Sequence, residues 1–230
     1  FQYIEKAIEF GISEIAFTDH SPLPEKFDID HRMNLHEMDK YMNWIHDAQR
    51  NYPEIKILAG IEMDYYEGFE KFTENFLKKY DFDIVIMTVH FIKSWPEGNW
   101  VFNYHFRNKS IKEIYSDYFE EVVKGIDTGL FDVIGHIDLI KKPGTSIMQL
   151  VPDLVFKLLN RVKKSNMVIE INTSGFRREI SDSYPGLDWL DLIINSDIPI
   201  CIGSDSHSPD QVGLNFNYIY RILVVLFCIS

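Results

Sequence analysis

Cysteine is scarce in this chain: Cys201 and Cys228 are the only two among 230 residues. A disulfide framework beyond one bridge is therefore excluded, and Cys201, inside the apolar run PICIG, reads as a small buried hydrophobe. The usage suits a reducing compartment, so a cytoplasmic location is expected. Positive charge is also short. Lysine and arginine number 23 against 35 aspartates and glutamates, a formal net charge of −12. Such a field repels a phosphate backbone, so no nucleic-acid partner is expected. It leaves room for a small phosphorylated substrate, because bound divalent cations reverse the potential locally.

Long hydrophobic runs are lacking as well. None approaches the roughly 20 residues that span a bilayer, and the terminal ILVVLFCIS reads as a last core helix or strand. No membrane partner is expected, and no signal peptide is visible. There is no low-complexity tract, Gly/Ser linker or shift of composition, so residues 1–230 read as a single domain. The oligomeric state is open. G-x-S-x-G is absent, and neither cysteine sits in a setting that suits nucleophilic catalysis.

What the sequence does contain is a repeated pattern. EIAFTDH ends at His20, KILAGIEMD carries Glu62 and DIVIMTVH ends at His90. FDVIGHID carries His136, MVIEINTSG carries Glu170 and Asn172, and PICIGSDSH carries Asp205 and His207. Each run is short, rich in β-branched residues and largely free of charge before its polar end, as in a parallel strand buried on both faces. Segments with helical spacing lie between the runs: residues 31–51, 69–80, 110–129, 148–166 and 187–197. Strand and helix alternate, which predicts a parallel sheet closed or nearly closed into a barrel. Ligand-type residues at the C-terminal ends of such strands lie where a barrel keeps its active site.

The chain opens with Phe1 and runs directly into a helical stretch, YIEKAIEFG, closed by Gly11. Parallel α/β architectures usually begin with a strand, so the expectation is a fragment that lacks its N-terminal strand. The longest irregular stretch is KSWPEGNWVFNYHFRNK, residues 93–109. Its Trp95, Trp100, Tyr104 and Phe106 could form a lid or simply pack on the barrel rim.

His20, His90, His136 and His207, with Glu62 and Asp205, form a set of imidazole and carboxylate donors that suits zinc, iron or manganese. Gathering so many titratable groups is costly unless cations compensate them. The ordered series TDHSP, GIEMD, a strand ending VH, GHID, EINTSG and GSDSH resembles the polymerase-and-histidinol-phosphatase (PHP) family. FTDHSPLP, the H-F-I after the third run and EINTSGFRR are similar to its histidinol-phosphate phosphatase branch. The likeness extends from Tyr3 to about Ile219.

That resemblance implies a distorted (β/α)7 TIM-like barrel holding up to three divalent ions. His20 and His207 would bind one outer ion, and Glu62 would bridge two. His90 and His136 would complete the central ion, and Asp205 would share the remaining one with Glu62. Glu62, Asp205 and His207 are carried over as catalytic, Arg177 as a phosphate-binding guanidinium, and Asp19 and Asp138 as partners that orient ligands. The family's first strand carries an H-x-H pair that this chain does not have. Arg32 and Arg178 have weaker claims, His31, His36 and His46 read as surface residues, and His105 is undecided. Tyr65, Tyr66 and Glu67 either line the pocket or pack at a strand exit.

The implied activity is metal-dependent phosphomonoester hydrolysis: L-histidinol phosphate and water to L-histidinol and phosphate, a step of histidine biosynthesis. Two alternatives stand beside it. One is a phosphodiesterase or nuclease on the same barrel; the other is an inactive metal-binding scaffold, suggested by the missing strand.

Overall fold

The six apolar runs become six parallel strands that pair in chain order. They are β1 (Glu14–Phe17), β2 (Lys56–Asp64), β3 (Ile84–Thr88), β4 (Val133–Ile134), β5 (Val168–Asn172) and β6 (Ile200–Gly203). The computed structural model describes residues 1–23, 31–92, 100–102 and 109–229. Among the described residues there is no seventh strand. The sheet curls into a half-barrel whose edge strands β1 and β6 do not pair with each other. The register sets Phe17 against Ala59, Asp64 against Thr88, and Asn172 against Gly203. Strands held in that register end on one rim, and the candidate ligands lie on it.

Helices α1 (Gln2–Glu9), α2 (Met38–Asn51), α3 (Glu70–Leu77), α4 (Ile111–Asp127), α5 (Ile147–Leu150), α6 (Pro152–Ser165), α7 (Leu190–Asn195) and α8 (Phe216–Ile229) fill the connections. The local sequence explains their limits. Gly11 takes φ +72° just beyond α1, a conformation that side chains with a Cβ disfavour. Ser110 and Glu113 form a reciprocal capping box at the start of α4. The single helix expected over 148–166 is broken at Val151, because Pro152 has no N–H to continue α5 and instead opens α6 at its first position.

The largest core packs α4 and α6 against the sheet through Tyr115, Tyr118, Leu158, Met87 and Ile169, all no more than 1% exposed. Each side chain of this kind contributes roughly 1.5–3 kcal/mol by leaving water. A second core joins α1 and α2 to β2 through Ile4, Ile45 and Ile57. A third lies under α8, where Ile219 and Leu223 meet Ile171 and Leu190.

Two expectations need correction. Cys201 is half-buried rather than buried, and burial followed by the nearby Glu170 carboxylate pushes its thiol up to about 12, away from the thiolate. The C-terminal run is part of a longer helical stretch, Pro209–Cys228, whose 20 residues are long and apolar enough to cross a membrane by length and composition alone. Counting only ILVVLFCIS missed the contribution of residues 209–221 before it. Tyr220, Val225 and Phe227 are exposed on α8.

Candidate metal centre

Strand alternation puts Glu62 and Asp64, two apart on β2, on the same face of the sheet. Beyond the end of β1 the chain still follows β2: Glu62 donates its N–H to the Asp19 carbonyl (3.0 Å) and accepts the Ser21 N–H on its own carbonyl (2.8 Å). His20 is thereby bridged to Glu62, with Nδ1 3.8 Å from Oε1. His90 follows β3 and His136 follows β4. Ring centroids lie 5.3 Å apart for His20 and His90, and 5.0 Å apart for His90 and His136. His136 Nε2 is 3.3 Å from Glu62 Oε1. One donor atom from each of His20, Glu62 and His90 falls within 4.8 Å of the others, as a shared ion requires.

Asp64 was missed as a functional residue in the sequence, although its i+2 spacing from Glu62 was a signal. Its Oδ1 accepts both the backbone N–H (3.0 Å) and the ring Nδ1–H (2.8 Å) of His90, while Oδ2 takes the Arg32 guanidinium. Fixing the proton on Nδ1 leaves Nε2 of His90 as the ligating nitrogen. Arg32, given a weak claim on sequence, is thus part of the site's support.

On the other side of the rim, His136 and Asp205 both stand in the left-handed region, at φ +26° and +46°. Such backbones cost about 1–3 kcal/mol each and collect at functional sites. Asp205 Oδ1 is 3.5 Å from His207 Nδ1, and His207 is exposed. Glu170 Oε2 accepts the His136 N–H and the Asn172 side-chain amide, each at 3.0 Å.

The charges are strongly coupled. Burial would raise Glu62, but the His20, His136 and His90 imidazoles outweigh it and hold the carboxyl at about 2. Burial opposes ionisation of Asp64 too, and Arg32 with His90 keeps it well below the carboxylate range. For His136 burial lowers the pKa, but Glu62 dominates, with Asp205 and Glu170, and lifts it to about 9. Glu170 is raised to about 7, chiefly by burial and then by Asp205 against the opposing charge of His136.

The donor set fits a divalent cation. His20 Nδ1 and His136 Nδ1 are buried without a hydrogen-bond partner, in a cluster of imidazoles and carboxylates that a cation would satisfy.

Other expected roles fall differently. Asp19 is exposed and contributes its backbone carbonyl, with no hydrogen bond to an imidazole among the described residues. The His90 ring is held by Asp64 and not by Asp19, whose carboxyl is raised by burial with the charge of His20 opposing. Asp138 does not reach His136: its Oδ2 accepts the Gly186 N–H (3.0 Å) and lies 3.3 Å from Lys141 Nζ, and its Oδ1 has no partner. The buried Lys141 ammonium draws that carboxylate away from the rim. Arg177 donates from Nη2 to the Ser204 (2.7 Å) and Asp205 (2.9 Å) carbonyls, so it grips the loop that carries two candidate ligands. Arg178, its neighbour, lines the cavity and lies over the Phe102 ring at 5.0 Å.

His31, His36 and His46 are exposed, as expected. Tyr65 packs at the strand exit, its hydroxyl 3.1 Å from Glu70, with Tyr66 buried beside it and Glu67 exposed. Trp95, Tyr104, His105 and Phe106 lie outside the described residues; Trp100 pairs with Phe91 in a bridge and stacks edge-on against Phe102. The rim opens into a cavity of about 1830 Å³ that extends along the β1 edge.

Residues 2–174 match the model of the PHP domain. The chain belongs to the PHP-domain family, with histidinol-phosphatase-like members. A probable histidinol-phosphatase from Deinococcus radiodurans is 34% identical over 218 residues, covering 94% of this PHP chain and 82% of the relative. The histidinol-phosphatase of Bacillus subtilis is 28% identical over 239 residues, covering 92% and 88%. Among solved structures, the PHP fold here superposes on a histidinol phosphate phosphatase from Lactococcus lactis with a TM-score of 0.81. That match has 21% identity and covers 98% of this chain and 86% of the other, which was crystallised with zinc, L-histidinol and phosphate.

Proposed function

We propose that this PHP protein is a metal-dependent phosphomonoester hydrolase acting on L-histidinol phosphate. The observation that carries the reading is the convergence of His20, Glu62 and His90, with His136 against the same carboxylate. The relatives support the substrate: those from Deinococcus and Bacillus carry the histidinol-phosphatase name, and the Lactococcus structure contains zinc with both products of the reaction.

His20, Glu62, His90 and His136 would hold divalent ions on one side of the rim, and Asp205 and His207 on the other. Bound there, such ions acidify water and neutralise phosphate oxygens. Glu62 remains ionised across the physiological range, so it offers two anionic oxygens between the imidazoles. Asp64 and Arg32 hold the His90 ring in one tautomer. Arg177 Nη1, buried without a hydrogen-bond partner, keeps a donor for a phosphate oxygen, and Arg178 adds a guanidinium on the cavity wall. Phosphoryl transfer needs little more than such positioning and charge.

The test is phosphate release from L-histidinol phosphate by the metal-loaded chain, with bis(p-nitrophenyl) phosphate as the diester control. Release should require Mn²⁺ or Zn²⁺, stop with chelator and return on adding the ion back. Hydrolysis of the diester alone would move the protein to the nuclease reading.

A further inference from the structure

The two ligand candidates with left-handed backbones, His136 and Asp205, share a support that neither the resemblance nor the rim geometry assigns. Glu170 sits on β5 between them, 6% exposed. Its Oε2 accepts the His136 N–H at 3.0 Å, which fixes the backbone where φ is +26°. The same oxygen accepts the Asn172 side-chain amide at 3.0 Å, and that amide also reaches Asp205 Oδ2 at 3.4 Å.

Asn172 has little freedom to do otherwise. Its Oδ1 accepts the Ser174 N–H (2.9 Å), which decides the orientation of the amide and turns Nδ2 toward the two carboxylates. Its backbone exchanges both hydrogen bonds with Tyr184, at 2.7 and 2.9 Å. Glu170 is held as firmly. Gly203 on β6 leaves room for its carboxylate: a Cβ there would fall 1.8 Å from Oε1. Glycine is required at that position by a side chain from the neighbouring strand.

We infer that Glu170 and Asn172 are positioning residues, a bracket that holds His136 and Asp205 in ligand geometry across β4, β5 and β6, with Gly203 as the space it needs. The inference rests on the metal-centre reading and deepens it. Partners that orient ligands typically change metal affinity 10–100-fold when removed.

Titration of the whole chain with Co²⁺, followed by its visible spectrum and by metal content, tests the bracket. Glu170→Ala and Asn172→Ala should each weaken Co²⁺ binding about tenfold or more and alter the spectrum. Glu170→Gln should retain most of the affinity, since its amide oxygen still accepts the His136 N–H. Gly203→Ala should reproduce the loss of Glu170→Ala by displacing the carboxylate. The double variant Glu170→Ala/Gly203→Ala should lose no more than either single one, because both remove the same contact. If Glu170→Ala does not fold, Asn172→Ala and Gly203→Ala carry the same expectation.

Wild-type titration curves from Glu170→Ala, Asn172→Ala or Gly203→Ala would overturn the bracket and leave the metal centre standing. Additive losses in the double variant, or equal damage from Glu170→Gln and Glu170→Ala, would also overturn it. A wild-type chain that binds no Co²⁺ would remove the metal centre itself and the bracket with it.

Discussion

His136 Nε2 lies 3.3 Å from Glu62 Oε1, and against the opposing effect of burial the two shift in opposite directions: His20 and then His136 hold the carboxyl down, and Glu62 lifts the imidazole. The imidazole is raised from 6.5 to about 9, so the ion-free fold favours its protonated form. The carboxyl is lowered from 4.5 to about 2, so the fold favours its ionised form. By linkage, the stability from His136 is complete below pH 6.5 and lost as pH rises through about 9. That from Glu62 is present above pH 4.5 and lost as pH falls through about 2.

The first expected outcome concerns this pair. In the ion-free protein, the difference in melting temperature between wild type and His136→Ala should shrink from pH 6.5 to about 9. An ion needs the neutral imidazole, so apparent metal affinity should keep rising over the same window. Melts and titrations in buffers from pH 6 to 9.5 check both. Affinity that levels off by pH 7 would show an imidazole with its ordinary pKa.

Glu62→Gln should reduce bound metal and lower turnover about a hundredfold or more, since a neutral amide cannot balance cations as a carboxylate does. Metal analysis of the purified variant is the deciding measurement. Unchanged stoichiometry would remove Glu62 from the centre of the site.

Asp64 is buried and leans on the Arg32 guanidinium. Arg32→Met should therefore destabilise the chain by about 3–5 kcal/mol, because it strands a buried carboxylate. It should also weaken metal binding by releasing Asp64 from its fixed hold on His90. Denaturant unfolding together with zinc affinity tests this, and an unchanged value of either would separate Arg32 from the site.

Asp138 has its contacts away from the rim, with Gly186 and Lys141. Asp138→Ala should cost about 1–3 kcal/mol by leaving buried donors short of a partner. Its metal content should equal that of wild type. A specific loss of metal would restore the orienting role that the resemblance implied.

Periodicity located all six strands, since burial on both faces writes an apolar run into each. The rim residues were visible because His20, His90, His136 and Asp205 follow those runs at similar distances. Gly11 was legible as a helix limit because such caps are local. Pro152 was in view, yet its break in the helix was missed where the apolar spacing ran on through it.

The sequence by itself determined the class of fold, the order of the strands and the chemical types gathered at their ends. These follow from local propensity and from patterning repeated along the chain. Only the tertiary structure decided which polar groups meet. Asp64 finds Arg32 at a separation of 32 residues, and Asp138 turns to Lys141 instead of His136. Arg177 grips the loop beyond β6, and Glu170 reaches His136 from 34 residues away. Each choice depends on strand register and on which carboxylate a buried cation can reach, and sequence spacing encodes neither.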